Sequence, residues 1–421
     1  MTGLIQIVLL ELRALLRTGL LPLLWLFAFL WTFCAPFWLQ TDGTEAGARE
    51  LFLMYGVGTV FVVALVAFGG AAAGSLAKER EAKRLQLSLV RPTALFLFAW
   101  GRMAAYTLAC ASVIVVSLVL AAFQGDPSRP TYEVRQPLLP TPAEEAEVAY
   151  ADYMSRAETP EKVKKMKKAD VLRILEQKAY ERYETIPPQA VSSWRFSLGR
   201  SDSACARRIR LKFTTPYETR AEVQGVLSCG AASVAVTNVA KAVLLVPLPA
   251  GRVTNGAASV TVSFRNTGRS TLMLRPRRDV RLLEEKGTFA RNLVRAGVVL
   301  VSLAALILAP AVFLGAGLGR SVAVFTLFGF LFVSAAGPDI IENYPDPLES
   351  KRMDRLGLEL TRSIWWISRP FARPLPVRAL VADECVAQGE LLATVVVSLG
   401  IVPAVFAVLS AYVLRRKEEG L

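Results

Sequence analysis

Six long apolar runs, over residues 19–38, 51–76, 103–123, 296–318, 321–336 and 391–414, divide the chain. A helix crossing a bilayer needs about 20 mostly apolar residues, so the pattern predicts six transmembrane helices. The fifth run is short. It crosses only a locally thinned bilayer, or continues as a protein-buried re-entrant piece after Gly337-Pro338. Ahead of the first run, Leu4, Ile5, Val8, Leu12, Leu15 and Leu16 share much of one helical face, and the polar residues include Gln6, Glu11, Arg13 and Arg17. That spacing predicts a helix lying on the inner membrane surface, or else an extension of the first span. A cleavable signal peptide carries its basic residues ahead of the apolar run, which is not the order here.

Two polar regions remain, 124–292 and 339–390. With six spans they lie on the same side of the membrane. In the first, residues 141–184 are charged and helix-forming. Thr141-Pro142-Ala143-Glu144 places a cap, a proline at the first helical position and a Glu that closes a capping box. Thr159-Pro160-Glu161 repeats the start, with Val163, Met166, Ala169, Leu172, Ile174 and Leu175 as an apolar stripe under a lysine run. From 190 to 285 the period changes to two. Arg208-Ile209-Arg210-Leu211-Lys212-Phe213 alternates basic and apolar side chains, and residues 259–264 and 270–274 around Asn266-Thr267-Gly268 read as a hairpin with Val260, Val262 and Phe264 inward. The predicted fold is an α-helical polytopic membrane protein with an extracytoplasmic α+β, β-sandwich-like domain. Its parts are 1–123, 124–292 and 293–421. In the second polar region Met353, Leu356, Leu360 and Ile364 precede Trp365-Trp366. They predict an amphipathic helix, anchored at the outer interface or packed on the β domain.

Composition agrees: 53% of the 421 residues are apolar and mean hydropathy is +0.41, which excludes an ordinary soluble protein. The formal net charge is +14. The short loop after the second span is basic, as are Arg13, Arg17 and the terminal Arg415-Arg416-Lys417, so the N-terminus, this loop and the C-terminus are expected in the cytoplasm. Arg291, Arg295, Lys351, Arg352 and Arg355 make the opposite side basic too, but long domains translocate largely regardless of charge. Histidine is absent, which removes Ser-His-Asp and Cys-His nucleophiles, His-ligated zinc and phosphohistidine relays. There is no Gly-Lys dipeptide and hence no P-loop. No catalytic, cofactor or metal residues are predicted, and no nucleic-acid partner. The span interiors carry almost no ionisable residues, which disfavours ion-driven transport. Gly70 and Gly74, and Gly315 with Gly319, match the small-xxx-small spacing that lets membrane helices approach, by chance or for a dimer contact. Cys205 and Cys229 both fall in the external β region, where a disulfide or two buried thiols are the alternatives.

The chemistry-bearing segment is Lys78-Glu79-Arg80-Glu81-Ala82-Lys83-Arg84-Leu85-Gln86-Leu87-Ser88-Leu89-Val90-Arg91-Pro92. Its acidic-basic-acidic start, Leu-rich middle and closing Pro resemble the cytoplasmic coupling loop of ABC-2 type transporter permeases. It departs from them in having Lys83-Arg84 for a Gly-Thr pair and Gln86 for a Glu. Gly101-Arg102, Glu11-Leu12-Arg13, Gly389-Glu390-Leu391-Leu392 before the last span, and Gly287-Thr288-Phe289-Ala290-Arg291-Asn292-Leu293 are similar to the same family. The resemblance implies a non-enzymatic permease subunit of a bacterial inner-membrane exporter. Its partners would be a separate ABC ATPase, a second permease copy or paralogue, and membrane lipid. It also implies that Glu79, Arg80, Glu81, Arg84, Leu85, Leu87, Leu89 and Pro92 couple to the ATPase. The rival is a membrane-anchored protein whose external β domain binds a partner or anionic glycan, with a secondary transporter as a distant third.

Overall fold

The apolar runs are helical in the computed structural model, which describes residues 2–38, 45–81, 95–155, 168–180, 182–198, 207–215, 222–230, 232–248, 259–343, 357, 376–386 and 388–419. The first helices are α1 (Thr2–Arg17), α2 (Leu20–Trp38), α3 (Glu45–Leu51), α4 (Gly58–Glu81), entered through a π-helical turn at Phe52–Val57, and α5 (Leu95–Gln124). An insert follows with α6 (Pro142–Ser155), α7 (Lys168–Tyr180) and the short α8 (Pro276–Asp279) among its strands. Then come α9 (Phe289–Gly317), α10 (Arg320–Asn343), α11 (Pro376–Val381), α12 (Gln388–Val395), a second π-helical turn (Val396–Ile401) and α13 (Val402–Glu419). The chain divides into two compact units, one of residues Met1–Arg129 with Thr288–Leu421, the other Pro130–Gly287.

Among the described residues of the first unit, four helices are long and apolar enough to cross a membrane: Phe52–Glu81, Leu95–Gln124, Phe289–Gly317 and Leu391–Arg416. The pair Gly3–Arg17 and Leu20–Ala35, bent by 67°, adds a fifth if counted as one span. This is consistent with a multi-pass membrane protein, with four or five of the six expected spans found among the described residues. The fifth run lies on α10, which continues unbroken past Gly337-Pro338 to Asn343; the apolar stretch that falls among its described side chains is Arg320–Phe332. The bend after α1 is made at Gly19, whose φ of +76° is a conformation glycine adopts without a Cβ clash.

The helices pack through small residues and a few polar contacts. A Cβ at Gly315 of α9 would lie 2.5 Å from the Ala73 carbonyl oxygen of α4, and Gly69 and Gly70 face Leu327 and Phe328 of α10. The glycine spacings therefore serve contacts within the chain. Trp25 Nε1 donates to Ser112 Oγ at 2.9 Å, the buried Thr32 and Ser117 hydroxyls meet at 3.0 Å, and Trp31 Nε1 donates to the Tyr55 carbonyl at 2.9 Å. Tyr55 sits in the first π-helical turn, where the widened ladder leaves carbonyls open to outside donors.

Among its described residues the second unit has three helices and ten strands: β1 (Pro130–Arg135), β2 (Glu184–Ile186), β3 (Val191–Ser197), β4 (Arg207–Lys212), β5 (Glu222–Cys229), β6 (Ala232–Val239), β7 (Val243–Leu248), β8 (Ser259–Asn266), β9 (Leu272–Leu274) and β10 (Val280–Thr288). Strand order is β1-β10-β4-β7 in one four-stranded sheet and β3-β8-β5-β6 in the other, with β2-β9 as a separate pair. The alternation over 208–213 is observed: in β4 (Arg207–Lys212) Ile209 and Leu211 are buried, as is Phe213 beyond it. Trp194, Phe196, Val262 and Phe264 from one sheet share a core with Ile209, Leu211, Val280 and Leu282 from the other, as the inner faces of a sandwich do. Two expectations change. The β-rich part begins before the helices, because β1 (Pro130–Arg135) joins β10 (Val280–Thr288). The expected hairpin is absent, since β8 (Ser259–Asn266) pairs with β3 (Val191–Ser197) and β5 (Glu222–Cys229), whereas β9 (Leu272–Leu274) pairs with β2 (Glu184–Ile186). Asn266 makes the corner between them. Fully buried, it donates through Nδ2 to the Ile186 and Ser270 carbonyls at 3.0 and 2.9 Å and accepts from the Gly268 N–H at 3.0 Å. These bonds satisfy a turn that leaves one sheet for another strand pair.

The capping box of α6 is formed. The Thr141 N–H donates to Glu144 Oε2 at 2.7 Å and the Glu144 N–H donates to Thr141 Oγ1 at 3.2 Å. The first of these bonds, helped by the Thr141 side chain, holds the Glu144 carboxyl below the usual carboxylate range. A carboxyl depressed by folding contributes stability above its unfolded pKa and loses it as pH falls through the lower folded value. Acidification below about pH 4 is therefore expected to fray the start of α6. Hydrogen exchange corrected for intrinsic rates should show faster exchange of the first α6 amides, and a Glu144→Gln variant should show no such pH step. The second helix start at Thr159 and the stripe residues Val163 and Met166 lie outside the described residues, as does the segment Met353 to Trp366.

Candidate functional site

The predicted coupling segment begins on the last turn of α4, and its first residues reach three other helices. Glu79 Oε1 accepts from Arg102 Nη2 of α5 at 2.5 Å. Arg80 donates from Nη1 to the Ala316 carbonyl and from Nη2 to the Leu318 carbonyl, both at 2.7 Å. These carbonyls stand at the C-terminal end of α9, where a helix leaves acceptors unpaired and carries partial negative charge, so a guanidinium fork suits them. Glu81 Oε1 accepts the backbone N–H of Arg320, the first residue of α10, at 3.3 Å.

Around Arg102 lies a cluster that the sequence reading missed. The Arg102 side chain is 4% exposed and also approaches Glu11 Oε2 at 3.6 Å. Tyr106 OH donates to Glu11 Oε1 at 3.0 Å, and the guanidinium carbon sits 4.7 Å from the Phe98 ring centre. Among the described residues, Glu79 Oε2 and Arg102 Nε are buried without a hydrogen-bond partner. One cation thus serves two carboxylates. The expectation of nearly charge-free spans is corrected here: the helix starts at Leu95, not at Met103, so Arg102 lies two turns inside it. A hydropathy window ends at a charge, whereas a helix continues through a charge that is paired.

Glu11 is likewise corrected from the polar face of α1 to its inner face. Leu15 is buried, while Ile5, Leu9 and Leu16 are exposed. Ile7 packs on Gly101, whose Cβ would stand 2.7 Å from the isoleucine Cγ2. The spacing of Ile7, Glu11 and Leu15 is the protein-facing stripe. The i,i+4 pair Arg102 and Tyr106, polar residues inside an apolar run, was the available sequence signal for this cluster.

Both ends of the helical unit are braced. Val413 near the end of α13 lies 3.8 Å from the Cβ position of Gly317, so the basic C-terminal turn meets the same end as the α4 cluster. At the other end the Gly287–Leu293 motif finds its purpose in Asn292, buried at 1% exposure. Its Nδ2 donates to the Glu384 carbonyl at 2.8 Å and its Oδ1 accepts from the Val386 N–H at 2.9 Å. The Phe289 and Ala290 N–H groups, unpaired within the first turn of α9, donate to the Arg129 and Pro127 carbonyls at 2.8 and 3.2 Å.

Of the predicted coupling residues, Glu79, Arg80 and Glu81 are brought together at this node. Arg84, Leu85, Leu87, Leu89 and Pro92 lie outside the described residues. Cys229 ends β5 and is half-buried; burial raises its thiol pKa, opposed by the Arg207 charge. Its expected partner Cys205 lies outside the described residues. Among the described residues no group of three or more His, Cys, Asp or Glu is placed to hold a metal ion. No family model, curated protein or solved structure matches the chain significantly.

Proposed function

We propose that the chain is the permease subunit of an ABC-2 type exporter in a bacterial inner membrane, paired with a second permease copy or paralogue and driven by separate ATPase subunits. The observation that supports this reading is the bracing at the start of residues 82–94. Three consecutive side chains, Glu79, Arg80 and Glu81, hold α5, the end of α9 and the start of α10. A load applied to the following loop enters several helices at once. On this reading Arg84, Leu85, Leu87, Leu89 and Pro92 face the ATPase, while Glu79, Arg80 and Glu81 transmit the push into the helices. The chain itself performs no chemistry.

One observation favours the rival, a membrane-anchored binding protein. The edge strands β6 (Ala232–Val239) and β7 (Val243–Leu248) leave Val234, Val239, Val243 and Leu245 exposed, and an apolar sheet edge invites a partner. Extraction in mild detergent separates the readings. An ATPase subunit is expected to co-purify, and Arg84→Glu is expected to weaken that association several-fold by opposing like charges at the contact. Joint alanine replacement of Leu85, Leu87 and Leu89 tests apolar docking in parallel. If neither set changes ATPase recovery or stimulated hydrolysis in proteoliposomes, the binding-protein reading replaces the exporter.

A further inference from the structure

Beside the charged node, α1, the first residue of α2, α4, α5 and the first residue of α10 line a pocket of about 700 Å³. Its wall is apolar along Ala14, Leu15, Leu20 and Ala71, and its rim carries Lys78 and Arg320. The two cations share that rim because the Arg320 side chain lies over Gly74, with Cγ and Nε each 3.5 Å from its Cβ position. Gly74 stands one helical turn before Lys78. Both side chains are exposed, and neither makes an ion pair or side-chain hydrogen bond among the described residues. The other charged or phenolic groups lining the pocket are Glu11, Glu79 and Tyr106, and Glu79 Oε2 is without a hydrogen-bond partner among the described residues. Glu11 and Glu79 turn to Arg102, and Tyr106 donates to Glu11.

These two cations above an apolar trough suit one kind of ligand, an anionic head on a hydrocarbon chain. Thr18 and Leu20 at the bend between α1 and α2 line the pocket, and along α1 the exposed Ile5, Leu9, Leu10 and Leu16 give the helix the apolar outer surface of an interfacial segment. We infer that this pocket holds an anionic phospholipid, its phosphate between Lys78 and Arg320 and an acyl chain along Leu15 and Leu20. A guanidinium and an ammonium together neutralise a phosphodiester, and each basic group near a membrane surface favours anionic lipid. The inference rests on the membrane character of the chain and is independent of the exporter reading.

The full-length protein in mild detergent is titrated with dioleoylphosphatidylglycerol, dioleoylphosphatidylcholine or inorganic phosphate, followed by native mass spectrometry and thermal melting. Phosphatidylglycerol is expected to stay bound and raise the melting temperature, with phosphatidylcholine and inorganic phosphate far weaker. Lys78→Gln with Arg320→Gln is expected to weaken phosphatidylglycerol binding by about tenfold or more. Arg13→Gln with Arg17→Gln, which removes the same charge from the outer side of α1, is expected to change it little. Lys78→Glu alone supplies the same test should the double variant not fold. Equal binding of the two lipids, or equal losses in the two double variants, overturns the inference. An equal shift with inorganic phosphate alone replaces the lipid by a free anion and overturns it as well.

Discussion

Replacing Arg102 by Met is expected to destabilise the helical unit by about 3–5 kcal/mol, the usual cost of removing one partner from a buried ion pair. The side chain is almost fully enclosed and is the cation next to both Glu11 and Glu79. Without it two carboxylates face each other at the edge of a low-dielectric region, where their repulsion is several times that in water. Methionine fills much of the volume, so the effect reports charge and not a cavity. The measurement is the melting temperature and the monodisperse yield in detergent, with a drop on the order of 10 °C expected from that energy. The mechanism makes a second demand: combining Arg102→Met with Glu11→Gln and Glu79→Gln should restore most of the loss. Arg102→Lys should fall between, because an ammonium keeps the charge but lacks the fork that spans two acceptors. An unchanged melting temperature for Arg102→Met alone would show that the cluster does not hold α1, α4 and α5 together.

Gly315→Ala should also destabilise, against the sign that helix propensity alone dictates. In an isolated helix alanine is better than glycine by about 1 kcal/mol. Here the added methyl would stand 2.5 Å from the Ala73 carbonyl oxygen, and 3.2 Å from its carbon. Both belong to the backbone of α4, so no side chain is free to swing aside and the two helices must separate. Overpacking of this kind costs typically about 1–3 kcal/mol, and the crossing carries Phe68, Ala72, Leu308 and Val312 in the same core. The test is again a melting curve, with Gly329→Ala on α10 as the comparison, since nothing lies within 4 Å of that Cβ position. A stabilised Gly315→Ala protein would mean that α4 and α9 do not approach at this glycine.

Several parts of this protein follow from the sequence alone, and each rests on a local interaction. The capping box at Thr141 and Glu144 joins residues three apart, so its two bonds could be read from four letters. The alternation of Arg208 to Phe213 states which side of a strand is buried whatever the strand later pairs with. Apolar runs over most of the span length force helices, because an unpaired backbone is too costly away from water. The tertiary structure decided which of these elements meet. Nothing in the spacing of Val260, Val262 and Phe264 distinguishes a hairpin with Leu272 to Leu274 from pairing with Val191 to Ser197, since strand period fixes a face and not a neighbour. Glu11 and Arg102 are 91 positions apart, and only the packing of α1 across α5 turns a polar residue on an amphipathic helix into the counterion of a buried arginine. The same holds for Arg80, whose acceptors are carbonyls at the end of α9. A carbonyl is present at every residue and carries no side-chain signature, so the end of a distant helix becomes a binding partner only when the fold brings it there.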